Sequence, residues 1–258
     1  MYRMIIRKTP EQLEKMAAAG DVLVRCLRVL RSGARAGTTT AELDAAAEKF
    51  IRSQGAEPAF KGYRGFPGSI CASPNSMVVH GIPGPHELKR GDVLSLDVGV
   101  VRDGWVADAA ITIPIGPVTE EARELLATTR AALMEGTAQA APGNHLGDVS
   151  AAIQRRVELD GFSIIRSLVG HGIGRDMHEE PQVPNFGEPG RGPELEEGMV
   201  LAIEPMVNAG GPLVRMGDDG WAVYSQDGSL AAHFEFTVAV TAAGPRVLTP
   251  WHEDEDEG

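Results

Sequence analysis

Residues 87–97 read Glu87-Leu88-Lys89-Arg90-Gly91-Asp92-Val93-Leu94-Ser95-Leu96-Asp97, and residues 194–204 read Glu194-Leu195-Glu196-Glu197-Gly198-Met199-Val200-Leu201-Ala202-Ile203-Glu204. Glu, Leu, Gly, Val and Leu recur in register at a constant offset of 107 (194 − 87). A glycine ahead of an apolar, β-type run reads as a turn entering a buried strand. Each run ends in a carboxylate, which is costly to bury unless an opposite charge or a metal ion compensates it. The pair therefore predicts a duplicated scaffold that brings acids from two halves to one central site.

The duplication extends upstream of these strands. Thr9-Pro10-Glu11-Gln12 supplies a cap, a proline at the first helical position and a glutamine three residues after the cap. Leu13, Met16, Ala17, Val24, Leu27 and Leu30 then follow at helical spacing. Thr119-Glu120-Glu121 opens a comparable helix that carries Leu125, Leu126, Ala132 and Leu133. A second helix follows each, bracketed by Gly37 and Gly55 in one half and by Gly143 and Gly161 in the other, 18 residues apart both times. Thr39 with Glu42 reads as a capping box on the first of these. Each half thus reads helix, helix, strands, and no Ser/Gly-rich linker parts them. The expected organisation is one domain over residues 1–250, with pseudo-symmetric halves at about 9–117 and 118–249 and an acidic, disordered tail at 251–258.

A chain of 258 residues can bury a substantial core, and 43 % hydrophobic with 23 % charged residues is ordinary for a globular protein. A net charge of −12 argues against nucleic acid as the main partner, because phosphate binding needs a basic footprint. Cys26 and Cys71 are the only cysteines, too few for a disulfide framework or a thiolate metal site. The start of the chain, Met1 to Lys8, lacks the apolar stretch of a signal peptide, and no segment approaches a bilayer-spanning length. A cytoplasmic enzyme, without membrane or nucleic-acid partner, is the expectation.

The first strand pair can be placed in more detail. Asp97 and Asp108 flank Arg102-Asp103-Gly104, a hairpin signal. A loop centred between 102 and 103 sets Asp97 opposite Asp108, and one centred a residue later sets Asp108 opposite Gly99. Side chains alternate with period two, so in either register both aspartates share a face and repel. Asp97, Asp108, His171, Glu204 and Glu235 stand out together as oxygen and nitrogen donors, Glu235 being one acid within the apolar run Phe234 to Val240. Four carboxylates and an imidazole form a hard-to-borderline ligand set, and two divalent ions would match the charge of the four acids. Any one of these acids alone reads equally well as a hydrogen-bonded strand carboxylate.

The chain resembles the type I methionine aminopeptidases. The resemblance is carried by Cys71-Ala72-Ser73-Pro74-Asn75, His80-Gly81-Ile82-Pro83, Leu96-Asp97-Val98-Gly99, Asp103-Gly104-Trp105-Val106-Ala107-Asp108, Gly170-His171-Gly172-Ile173-Gly174, His178-Glu179-Glu180-Pro181, Ile203-Glu204-Pro205-Met206 and Phe234-Glu235. It implies an α+β pita-bread fold, duplicated ααβ halves around a central antiparallel sheet. It implies that Asp97, Asp108, His171, Glu204 and Glu235 hold two divalent ions, for which Co, Mn, Fe(II) and Zn are all suited. In the implied mechanism a hydroxide bridging the two metals attacks the carbonyl after the first residue, and Glu204 shuttles the proton to the leaving amine. His178 steadies the carbonyl oxygen and His80 contacts the scissile amide nitrogen. Phe60, Tyr63, Phe66, Cys71, Met177 and Trp221 line the implied methionine pocket; outside the family they would read as core or exposed aromatics. Met177 stands where an aromatic is common, and His233 where many members have glutamine, which makes it a candidate outer partner of the metal carboxylates. The implied substrates are nascent chains with a small second residue, met at the ribosome by a monomer.

His86, His145 and His252 lie outside the matched motifs and read as surface or packed residues, His145 beside a helix cap. Gly170-His171-Gly172-Ile173-Gly174 lacks the spacing of a dinucleotide loop, and there is no Walker A or His-Glu-x-x-His sequence. Xaa-Pro peptidases share the implied fold but carry an extra N-terminal domain, whereas eight residues precede the first helix here. Only 26 residues separate His178 from Glu204, too few for the insertion of type II relatives. A non-catalytic binding module of the same fold is the remaining alternative, and it would be expected to have lost ligands.

Overall fold

The computed structural model describes residues 4–255. Both long helices form where their caps predict. In α1 (Pro10–Gly33) the Thr9 hydroxyl accepts from Gln12 N while the Gln12 side chain accepts from Thr9 N. Leu13, Met16, Val24, Leu27 and Leu30 face inward along its length. The short α2 (Thr40–Ser53) repeats the device with Thr39 and Glu42. In the second half α3 (Glu120–Ala138) is capped by Thr119, and α4 (Leu146–Leu159) starts after His145, whose N–H donates to Asp148 at 2.7 Å. The glycines bracketing the second helices, Gly37, Gly55, Gly143 and Gly161, all take positive φ. Among the described residues no helix is long and apolar enough to cross a membrane.

The two repeated stretches play the same part in each half. Leu88 N donates to Thr38 O and Gly37 N to Leu88 O; Leu195 N donates to Asn144 O and Gly143 N to Leu195 O. Each repeat is thereby tied to the loop that opens its half's second helix, with Leu88 and Leu195 buried beneath. Gly91 and Gly198 then turn the chain at φ 96° and 90°, a conformation that strains any residue with a Cβ. Their N–H groups donate to Ile115 O and Val240 O, at the far ends of the two sheets.

In the first half the strand Val93–Arg102 pairs with Trp105–Pro114 on one side and Cys71–Pro74 on the other. In the second half Val200–Ile203 lies between Gly170–Gly172 and Phe236–Thr241. Of the two hairpin registers the sequence allows, the one with Gly99 opposite Asp108 is formed, so Asp97 faces Ala110. The reason is the turn: Asp103 and Gly104 both adopt positive φ (51° and 72°), as a two-residue hairpin loop matching the strand twist requires.

The halves meet along a seam between Trp105–Pro114 and the segment His233 to Thr237. Asp108 N donates to Thr237 Oγ1, which donates to Asp108 O. Glu235 N donates to Ala110 O, and His233 N to Thr112 Oγ1. Residue numbers in each pair sum to 345, so this is one antiparallel register in which threonine hydroxyls replace part of the backbone ladder. The hydrophobic core is continuous across the seam, with Leu23, Leu94, Leu125, Leu201 and Phe236 in one cluster. Helices cover one face of this combined sheet, α1 lying across the first hairpin.

One boundary needs correction. The folded body does not stop at residue 250: Trp251 is buried at 4 % exposure in a 3-10 turn, Trp251–Glu255. Its ring packs on Phe234 and Phe236, and its indole N–H donates to Glu235 O at 2.8 Å. An amphipathic tryptophan beside an acidic run is held by that apolar floor and carbonyl, and not released with its charged neighbours. The rest of the acidic tail, Asp256 to Gly258, lies outside the described residues.

Candidate metal centre

All five donor residues converge on one cavity. Asp97 and Asp108 come from the first hairpin, His171 from the Gly170–Gly172 strand, and Glu204 and Glu235 from residues that directly follow and precede paired strands. Phe236 pairs with Ile203, so one more step of that register sets Glu235 opposite Glu204. Asn185, itself fully buried, donates to Glu204 O at 2.9 Å and fixes the backbone there.

His171 presents a lone pair to the other donors. Its Nδ1 lies 3.0 Å from Gly172 O, and a carbonyl only accepts, so Nδ1 carries the hydrogen and the lone pair sits on Nε2. Nε2 points at Glu204 Oε1 (3.6 Å) and Asp108 Oδ2 (3.9 Å). Asp108, His171 and Glu235 each offer one donor atom within 4.8 Å of the others, and so do Glu204, His233 and Glu235. Asp97 Oδ1, Asp108 Oδ1 and Glu235 Oε1 are buried with no hydrogen-bond partner. Orphaned buried oxygens are expensive unless a cation meets them, so the site fits divalent ions.

The electrostatics agree. Burial pushes the Asp97 carboxyl up to about 7, with Glu204 adding to the rise and His233 opposing it, and burial pushes Glu204 up to about 8. Asp108 and Glu235 are raised well above the carboxylate range by burial and then by their acidic neighbours. The imidazoles move the other way: burial pulls His171 down to about 3, and His80 and His178, exposed at the surface but walled in on the cavity side, are lowered to about 4. Burial thus favours the protonated acids and the neutral imidazoles; divalent ions would take the place of those protons and meet nitrogens with free lone pairs.

His178 lies at the cavity mouth with Nδ1 2.8 Å from Tyr63 Oη, its ring stacked on Tyr63 and 4.2 Å from that of His171. His80 sits on the same cavity wall at φ 60°, a left-handed conformation uncommon outside glycine. Phe60, Tyr63, Phe66, Cys71, Met177 and Trp221 also line this space, Phe66 and Trp221 packing edge to face at 5.1 Å. Gly99 forms part of the floor, since a Cβ there would lie 2.7 Å from Phe60 Cε1 and 2.9 Å from Met177 Cε. The structure thus gathers every residue that the sequence reading assigned to the site. His86, by contrast, is exposed, and His252 packs on Phe236.

Sequence reasoning missed three contributors. Arg64 lines the cavity, at φ 49° between Gly62 and Gly65, and its charge helps hold His178 neutral. The bracketing glycines were its only signal. Lys8 forms a buried ion pair with Glu179, whose other oxygen accepts from Arg175 N in the turn leading to Met177 and His178. Trp251 secures Glu235, as described above.

Residues 14–242 match the model of metallopeptidase family M24. The methionine aminopeptidase of Clostridium perfringens is 51 % identical over 246 residues, spanning 95 % of this chain and 99 % of that protein. The crystal structure of methionine aminopeptidase from Thermotoga maritima superposes with a TM-score of 0.94 at 44 % identity, covering 95 % of this chain and 99 % of that one. Prolidase from Pyrococcus furiosus aligns with a TM-score of 0.76 at 24 % identity, covering 95 % of this chain and 65 % of its own, a likeness of fold alone.

Proposed function

The chain belongs to metallopeptidase family M24, among its methionine aminopeptidases, and from that premise we propose how its residues carry out the reaction. It is a metallo-exopeptidase that releases N-terminal methionine from nascent proteins with a small second residue. The observation that carries the residue roles is the convergence of Asp97, Asp108, Glu204 and Glu235, with orphaned buried oxygens, beside a lone pair on His171. These five side chains would hold two divalent ions. When bound, the ions supply Lewis acidity that polarises the scissile carbonyl and acidifies a water in the cleft.

Glu204 moves the proton. Its side chain is more exposed (13 %) than those of Asp108 (6 %) and Glu235 (2 %), so Oε1 can meet both a water and the departing amine. Tyr63 Oη lies 2.8 Å from His178 Nδ1; with the phenol as donor, the imidazole hydrogen is on Nε2, available to the carbonyl oxygen as charge develops there. The enclosing cavity wall and the Arg64 charge lower the proton affinity of that imidazole, making it a donor that does not compete for the proton. His80, fixed by its left-handed backbone, contacts the scissile amide nitrogen. Phe60, Phe66, Cys71, Met177 and Trp221 enclose the methionine thioether, and Met177 in place of an aromatic leaves the floor pliable.

Co, Mn, Fe(II) and Zn all suit the donor set, and availability selects among them. A cytoplasmic monomer meeting its substrates at the ribosome is consistent with a role on nascent chains, in one catalytic unit whose core crosses both halves. The test is release of methionine from Met-Gly-Met-Met, Leu-Gly-Met-Met and Met-Leu-Met-Met, in chelator and then with added Mn or Co. Metal-dependent release from the first alone is expected; release from none by protein carrying two ions would refute the specificity, and full activity in Glu204→Ala would refute the site.

A further inference from the structure

We propose that His233 is itself a metal ligand, its Nε2 forming with Glu204 and Glu235 a second nitrogen-bearing ion position beside that of Asp108, His171 and Glu235. The inference rests on the two-ion reading above and extends its ligand set by one residue of this chain. His233 and Glu235 lie two residues apart on an extended segment, so their side chains share a face. That face is the one turned to the cluster.

The imidazole is 1 % exposed, and neither Nδ1 nor Nε2 has a hydrogen-bond partner. A neutral imidazole must offer one N–H and one lone pair, and leaving both unmet in the interior is costly. Nothing on the protein side answers this ring. Nε2 stands 3.5 Å from Glu204 Oε2 and 3.8 Å from Glu235 Oε2. The corresponding separations at His171 are 3.6 and 3.9 Å. Such distances are long for an N–H···O hydrogen bond. They suit two donors on one ion: ligands about 2.1 Å from a tetrahedral metal lie roughly 3.4 Å from each other.

The backbone that carries the ring is held on both sides. His233 N donates to Thr112 Oγ1 at 2.9 Å, Thr112 Oγ1 donates back to His233 O at 2.8 Å, and His233 pairs with Met206 across the next strand. The two groups carry one imidazole each and share Glu235, while Glu204, 3.6 Å from His171 Nε2 and 3.5 Å from His233 Nε2, stands between them. Nitrogen at both positions biases the pair toward Zn and Co over Mn.

The test is X-ray absorption of the full chain loaded with zinc, which counts imidazoles through their outer-ring scattering, with calorimetric titration of metal-free protein. Two zincs carrying one imidazole each are expected in the wild type. His233→Gln should show one imidazole per two zincs and bind the second zinc at least ~10-fold more weakly, the lower end of what loss of an outer-shell partner alone costs. His233→Asn serves if the first variant does not fold. One imidazole per two zincs in the wild type, or an unchanged count and affinity in the folded variant, would overturn the proposal. A chain that takes up a single zinc would refute the two-ion reading separately; two imidazoles on that ion would still support His233, and one would remove it.

Discussion

Replacing Lys8 by methionine should loosen the enzyme at a point remote in sequence from its chemistry. Lys8 Nζ lies 2.5 Å from Glu179 Oε2, and the two side chains are 2 % and 4 % exposed. Burial draws the Lys8 ammonium below the usual lysine range, and the hydrogen bond and charge of Glu179 oppose that fall. Glu179 Oε1 meanwhile accepts from Arg175 N at 2.9 Å, so one carboxylate ties the arm before α1 to the turn that bears Met177 and His178. Lys8→Met keeps most of the volume and leaves that carboxylate buried without its cation. Breaking a buried pair from one side costs about 3–5 kcal/mol. At roughly 2–4 °C per kcal/mol for a chain of this size, Tm should fall by about 6–20 °C. Calorimetry of the metal-loaded protein measures the shift, and kcat on Met-Gly-Met-Met should fall with it as the His178 turn loses its anchor. Adding Glu179→Gln should recover part of the loss, because its Oε1 still accepts from Arg175 N while the charge is gone. A Lys8→Met protein melting within roughly 2 °C of wild type, under about 1 kcal/mol, would refute this reasoning.

Three further outcomes are expected. His178→Ala should lower kcat by roughly 10²-fold with metal content unchanged, as measured by steady-state kinetics and metal analysis; an unchanged kcat would remove its role at the carbonyl oxygen. Gly99→Ala puts a methyl 2.7 Å from Phe60 Cε1 and 2.9 Å from Met177 Cε, so the pocket floor must shift. Overpacking of that kind costs about 1–3 kcal/mol, a roughly 5- to 150-fold loss of kcat/KM for methionine substrates, and normal kinetics would show that the floor lies elsewhere. The metal-free protein should lose stability as pH rises from about 6.5 to about 8, the value of Glu204 in the fold; below 6.5 the imidazoles that the fold keeps neutral, His80, His171, His178 and His233, oppose this slope. In that window the unfolded chain ionises first and the folded one holds the extra proton, so the slope is negative. Divalent ion at a hundredfold excess over Kd should restore about 2.7 kcal/mol; a metal-free Tm that climbs across the window would contradict the buried acid cluster.

Much of the fold was legible without coordinates because it is written in short-range chemistry. Thr9 with Gln12 and Thr39 with Glu42 close capping boxes whose partners are three residues apart, and Gly91 and Gly198 supply positive φ wherever the chain goes next. The duplicated Glu-Leu-x-x-Gly stretches, the apolar strands behind them and the acids at their ends needed only periodicity and the cost of burying charge to suggest two halves facing one site. Family resemblance then named the ligands, His80, His178 and the pocket residues, and all of them line the cavity.

What the tertiary structure alone decided concerns partners far apart along the chain. The hairpin register turned on the φ values of Asp103 and Gly104, which two alternative loop centres left open. The seam from Asp108–Thr237 to Thr112–His233 joins residues more than a hundred positions apart through hydroxyls that no period announces. Lys8 finds Glu179 across 171 residues, and Trp251, at the head of an acidic run, is drawn under Glu235 by Phe234 and Phe236. Caps, turns and amphipathic faces depend on neighbours the sequence lists side by side. Which buried acid meets which base depends on how the finished elements pack, and only the folded chain specifies that.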